Sequence, residues 1–333
     1  MAARILRRQR GMSLVELMIS ITLGLMILAG VTTIFVSNNK TRKELEKTSR
    51  QIENGRYAMQ LLSEDLQMAG FLGTYVPPTT APGLSSLPDP CATDSATADG
   101  ARVIHVQGYD GAATVPSCLS DVKTGTDILV VRRASTCAVG ATNCDAFANG
   151  APHLQVSGCS TDASTYLMDG TQGNLTLKKV GCTATADIRR FRTHIYFIAN
   201  NNIGSDGVPT LKRAELGATM SIVPLVDGIE NMQFEYGIDT NSDGAPDVYT
   251  ADPSSYGGCS GSGCVTNWWN VMAVKINLLA RNTQSTPGYT DSKTYTLGLD
   301  ASGNPNTFSY SDSYKRHEYS STVRLANPAG RRQ

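Results

Sequence analysis

Two places in this sequence hold residues whose types and spacing could do chemistry. Asp239-Thr240-Asn241-Ser242-Asp243-Gly244-Ala245-Pro246-Asp247 sets side-chain oxygens at alternate positions, then a glycine that permits a sharp turn. That is the first half of an EF-hand-type calcium loop, with the Ala245 carbonyl and Asp247 as the next ligands. The twelfth position is Thr250, where such a loop wants a bidentate glutamate, and Asp252 could substitute if the chain bends. Asp, Asn and Gly are equally the residues of a polar hairpin turn, so calcium and a plain turn both stay open. The second place is Glu16, a lone carboxylate at the head of the uncharged run from Leu17 to Val36. Near a membrane boundary such a charge costs on the order of 1–3 kcal/mol. It either snorkels to the interface or meets a cation supplied by another chain.

The eight cysteines, Cys91, Cys118, Cys137, Cys144, Cys159, Cys182, Cys259 and Cys264, all lie beyond residue 90. An even count in a Gly/Ser/Thr-rich region points to disulfides and an oxidising compartment. A zinc cluster is disfavoured, because no Cys-x-x-Cys occurs and His105, His153, His194 and His317 are scattered. Cys259 and Cys264 enclose only Ser-Gly-Ser-Gly, and Cys137 and Cys144 are the next closest pair, so both pairs are expected to be bridged. No Gly-x-Ser-x-Gly, His-Glu-x-x-His or P-loop is present, and the chain reads as a non-enzyme. His105 and His194 sit in strand-like runs and read as structural. Trp268-Trp269 reads as a buried or rim pair before a strand.

Those residues need elements to hold them. The uncharged run of 20 residues is long enough, as a helix, to span about 30 Å of bilayer core. Arg4, Arg7, Arg8 and Arg10 precede it without an acid and should stay cytoplasmic, which puts the rest of the chain on the far side. Formal net charge is zero, so no nucleic-acid partner is expected. Without residues 1–11 the chain has 25 basic against 29 acidic residues. Beyond Val36, Leu45, Ile52, Met59 and Leu66 recur every seven residues, beside Thr48, Gly55, Leu62 and Ala69. That spacing predicts one face of an amphipathic helix packed on the protein's own sheet, ending at Gly70–Gly73 before Pro77-Pro78. Strands are expected at 103–107, 127–132, 175–180, 192–199, 271–280 and 319–325. In Val271–Ala280 the apolar residues alternate with Ala273, Lys275 and Asn277 as on a half-buried strand. The fold class is α+β, a long helix on an antiparallel sheet.

Arg10-Gly11-Met12-Ser13-Leu14-Val15-Glu16-Leu17 resembles the class III signal of type IV prepilins. Gly-Arg-Tyr-Ala at 55–58 and Ala-Gly-Phe at 69–71 resemble the PilW group of minor pilins, as does an Asp/Asn/Gly loop after Gly228–Tyr236. The resemblance implies a pilin-like fold with four parts. These are a leader (1–11), a transmembrane and assembly helix (12–36), its amphipathic continuation (37–70) and a disulfide-containing head (71–333). It implies a cut by prepilin peptidase between Gly11 and Met12 and methylation of Met12. Met12 stands where the family commonly has phenylalanine. It also implies that Glu16 neutralises a neighbouring subunit's N-terminal amine. The implied function is type IV pilus assembly and twitching motility. The implied partners are minor and major pilins, the inner-membrane assembly platform and a tip adhesin. Location would be the inner membrane, with the head periplasmic, and then the pilus tip. A type II secretion pseudopilin and a periplasmic enzyme on an uncleaved anchor are the rival readings.

Overall fold

The computed structural model describes residues 11–332 except Thr79 and Ala113, so the leader residues before Gly11 lie outside the described part. The chain divides into two units, one up to Ser49 and one from Arg50. The first helix, α1 (Leu14–Gln67), is 54 residues long.

In the first unit, apolar side chains from Met12 to Val36 are exposed. The hydroxyls among them are tied back: Ser20, Thr22, Thr32 and Thr33 donate to backbone carbonyls one turn earlier. Between Leu17 and Val36 no side-chain polar group then needs water, which suits a helix in hydrocarbon.

In the second unit, α1 buries Gln51, Gly55, Ala58, Leu62, Asp65 and Leu66. Of the two rows, Gly55, Leu62 and Ala69 are buried from one and only Leu66 from the other, with Ile52 and Met59 half-buried. Closeness explains the choice. A Cβ on Gly55 would collide with the Tyr319 ring, so only glycine lets the helix lie this near the sheet. Gln67 ends the helix, and Gly70 and Gly73 take positive φ (71° and 66°) as the chain turns away.

A short helix, α2 (Ser95–Ala101), leads into the first sheet. Its strands are β1 (Val106–Tyr109), β2 (Ile128–Ala134), β3 (His153–Val156), β4 (Tyr166–Asp169), β5 (Ile188–Ala199), β6 (Thr210–Glu215) and β7 (Ser221–Asp227). They run β1-β2-β5-β3-β4, with β6 paired to β5 and β7 to β6. The second sheet takes β8 (Ile229–Ile238) and β9 (Val248–Thr250). After α3 (Ser262–Trp269) comes its central strand, β10 (Val271–Arg281). A separate hairpin, β11 (Thr294–Leu299) with β12 (Pro305–Ser309), precedes β13 (Arg316–Arg324) and α4 (Ala326–Gly330). The second sheet is ordered β13-β10-β8-β9, and all strand pairs are antiparallel.

The core beneath α1 joins both sheets: Ala58, Leu62, Leu66 and Ala69 pack with Val131, Tyr196, Phe234, Ile276 and Leu278. Two sequence expectations change here. β10 is covered on both faces rather than half-buried. Leu279 packs under Tyr295 and Leu297 of the hairpin, and Asn277 is buried. Residues 175–180 form no strand, only the isolated bridge Lys178–Thr185. Backbone bonds from Lys179 to Ala184 and from Ala186 to Leu177 flank that bridge, and the Gln155 side chain adds to them by accepting from the Leu177 amide and donating to the Leu177 carbonyl.

Candidate functional site

The start of α1 is built from Ser13 and Glu16. The Ser13 amide donates to the Glu16 carboxylate at 3.3 Å, and the Glu16 amide donates to the Ser13 hydroxyl at 3.2 Å. This reciprocal pair is a capping box, which satisfies two of the amide donors left over at a helix start and sets a negative charge there. Beside snorkelling and a partner cation, Glu16 thus has a third employment, within its own chain. Gly11 and Met12 precede the helix and are exposed. From Leu14 the helix offers a window of mean hydropathy 2.3 with none of it buried, long and apolar enough to cross a membrane.

Asp239–Asp247 is the turn between β8 and β9, where Ile238 pairs with Val248. Its oxygens are taken by donors of the chain itself. Asp239 is fully buried and accepts from the amides of Ser242 (2.6 Å) and Gly244 (2.9 Å). The Arg332 guanidinium adds a third bond, at 3.0 Å. Burial opposes its ionisation, but the Gly244 amide, Arg332 and the Ser242 amide together hold its carboxyl below the usual carboxylate range. Asp243 accepts from the Ala245 amide and from Asn241. Asp247 accepts from the Thr240 amide and hydroxyl and from Asn241. Among the described residues no group of three or more His, Cys, Asp or Glu side chains is placed to hold a metal ion. Gly244 has φ +82°, and a Cβ there would meet the Ala329 carbonyl, so both the turn and the close approach ask for glycine. This close approach lets the C-terminal segment bring Arg332 to Asp239.

All eight cysteines are bridged: Cys91–Cys118, Cys137–Cys144, Cys159–Cys182 and Cys259–Cys264. The bridges of separation 27 and 23 close longer loops than those of 7 and 5 and so constrain the unfolded chain more. Proximity in sequence does not single out those two. His105 is buried and its Nε2 donates to the Val271 carbonyl at 2.6 Å. Burial pushes its imidazole down to about 4, which keeps it neutral. Trp268 is fully buried and donates to the Ser254 hydroxyl, and Trp269 lies under the Arg332 guanidinium at 4.1 Å.

Three buried polar groups escaped the sequence reading. Asp65 accepts from Arg133 Nε (2.7 Å), His194 Nδ1 (2.7 Å) and the Tyr196 hydroxyl (2.8 Å), pinning the end of α1 to β2 and β5. Burial opposes the charge, yet His194 and Arg133 outweigh it and hold the carboxyl well below its usual range. Arg316 pairs with Glu230 (2.5 Å), Asp291 (3.0 Å) and Asp312 (2.6 Å), fixing the chain between β10 and β13 onto β8. Asp127 accepts from the amides of Gly111 and Phe234, but burial and the neighbouring Asp110 carboxylate push it up to about 8. The one signal for Asp65 was a carboxylate at a position where helical periodicity wants an apolar residue.

Residues 195–327, from β5 to the start of α4, match the family model described as Type IV Pilus-assembly protein W. Residues 6–32 match the prokaryotic N-terminal methylation motif. No curated protein matches the chain. Among solved structures it is similar to the type IV-like pilin TTHA1219 from Thermus thermophilus. That match has 13% identity and a TM-score of 0.36, over 84% of this chain and 98% of that one. The chain thus carries a prokaryotic N-terminal methylation motif at its start and, from β5 to the start of α4, a region similar to the Type IV Pilus-assembly protein W family.

Proposed function

We propose that this protein is a minor pilin that takes part in type IV pilus assembly, in the priming or tip complex, through its N-terminal helix. The observation that carries this reading is the stretch from Met12 to Val36. Every large apolar side chain there is exposed, its hydroxyls are satisfied within the helix, and one carboxylate caps its start. Such a surface is stable only among lipid tails or other apolar helices. The role is structural, and the family is one of assembly proteins. In this reading prepilin peptidase cuts after Gly11, Met12 becomes the methylated N-terminus, and Glu16 meets the amine of a neighbouring pilin. The helix sits in the inner membrane with the head periplasmic until it joins other pilins.

Mass spectrometry of sheared pili is the test. The chain is expected as a low-abundance component whose first residue is Met12. Its absence from pili, joined to lost exoprotein secretion in a deletion strain, would move it to the pseudopilins. An intact leader on the mature protein would favour the anchored enzyme. We assign no metal to the Asp239 loop, because Arg332 and four backbone amides already engage its carboxylates. Millimolar calcium is expected to leave the melting temperature unchanged, and a rise would restore the metal reading.

A further inference from the structure

The charge pattern of α1 changes abruptly after Val36. Residues 17–36 carry no charge, and residues 37–43 then carry Lys40, Arg42 and Lys43 with no acid. From Arg50 onward the chain has 21 basic and 26 acidic residues, so these cations stand out against an acidic remainder. All three are exposed, and among the described residues no ion pair engages them. Lys47, one turn further on, is already paired with Glu44 at 2.9 Å.

Position and distribution both say what they could meet. At 1.5 Å per residue, Lys40 lies about 6 Å and Lys43 about 10 Å beyond Val36. The headgroup layer fills about 5–8 Å outside the hydrocarbon core, and long basic side chains bend toward it. At 3.6 residues per turn, Lys40 and Lys43 share a side of the helix, while Arg42 points roughly 160° away from Lys40. A protein partner docking on one face would use one side only. A lipid headgroup layer surrounds the helix.

We propose that Lys40, Arg42 and Lys43 form a collar that binds anionic phospholipid headgroups where α1 leaves the membrane. This rests on the reading of residues 17–36 as the membrane span. Before processing, the leader arginines supply positive charge at the opposite face. Once the leader is cut away, the collar is the cationic anchor that the helix retains.

The full-length chain, reconstituted in nanodiscs of equal phosphatidylethanolamine and phosphatidylglycerol, tests the proposal through the lipids it retains in native mass spectrometry. The wild type is expected to retain phosphatidylglycerol preferentially. Lys40→Gln, Arg42→Gln and Lys43→Gln together should cut that preference by roughly fivefold per cation removed. Lys179→Gln, far along the sequence, should leave it unchanged. Absence of a preference in the wild type, or the same preference in the triple variant, overturns the collar. Alkaline carbonate extraction of the same samples keeps the two readings apart. A chain released by carbonate has no spanning helix, whereas an inserted chain indifferent to headgroups refutes the collar alone.

Discussion

Along α1, the residues before Val36 and those after Gln51 meet their surroundings in opposite ways. The first stretch exposes Leu, Ile, Met, Val and Phe on all sides, with its few polar groups satisfied inside the helix. The second buries a narrow stripe of small and polar residues, Gln51, Gly55, Ala58 and Asp65 among them. Gln51 donates to the Ala280 carbonyl, and Asn54 to the Asp227 carbonyl. Apolar surface exposed all round fits many neighbours, since dispersion and hydrocarbon solvation ask for no particular geometry. Close approach and directed hydrogen bonds fit one neighbour only. The helix is thus promiscuous at one end and specific at the other.

The sharpest way to break that contrast is Asp65→Ala. It strands the Arg133 guanidinium, the His194 imidazole and the Tyr196 hydroxyl in a buried site, at a cost of about 3–5 kcal/mol in chemical denaturation. A loss below about 1 kcal/mol would mean that α1 is held by apolar contact alone. Titration sharpens the same point. Asp65 has a depressed folded value, so its stabilisation is present above its unfolded value near 3.9 and is lost as pH falls below about 4.

Gly55→Ala comes next, with about 1–3 kcal/mol lost to the clash with Tyr319, set against about 1 kcal/mol of helix propensity gained. Tyr319→Ala in the same chain should remove most of the clash, and a double-mutant cycle measures it.

Asp127 provides the opposite sign. Its folded value is raised to about 8, so the folded state holds a proton that the unfolded state releases near 3.9. Stability should fall as pH rises between those values, and Asp110→Asn should reduce the total loss by on the order of 1 kcal/mol by narrowing that window. A loss unchanged in Asp110→Asn would leave burial as the whole cause. The smallest effect belongs to the other end of α1. Leu28→Ala should shift the denaturation of the head by less than about 0.5 kcal/mol, because Leu28 is exposed. A larger shift would show that the apolar stretch packs on the head.

The sequence shows the two ends of α1 unequally well. A 20-residue run without charge is visible in composition, and so is a glycine stop after an amphipathic stretch. The face that packs was harder to read. Leu45, Ile52 and Met59 draw the eye because they are large, yet they are exposed or half-buried, while Gly55 and Ala58 turn inward beside Leu62 and Leu66. Hydropathy rewards volume, and close approach requires its absence. Asp65 was hidden for the same reason, since its partners His194 and Arg133 lie far along the chain. The Asp239 turn was legible as a turn, but the donor that completes it, Arg332, sits 93 residues away in sequence. Residues 175–180 resemble a strand in composition, but they form only one bridge, to Thr185, with Gln155 side-chain bonds beside it.

The capping box at Ser13 and Glu16 sets the terms on which another molecule can use that carboxylate. Glu16 is an occupied acceptor in the single chain, held by the Ser13 amide and returning the favour through its own. The Ser13 amide reaches only Oε2, so among the described residues Oε1 stays open as an acceptor. A cation arriving at the helix start can add a charge-assisted bond there without breaking the cap. The box thus fixes the orientation of the carboxylate and leaves half of its capacity for another molecule.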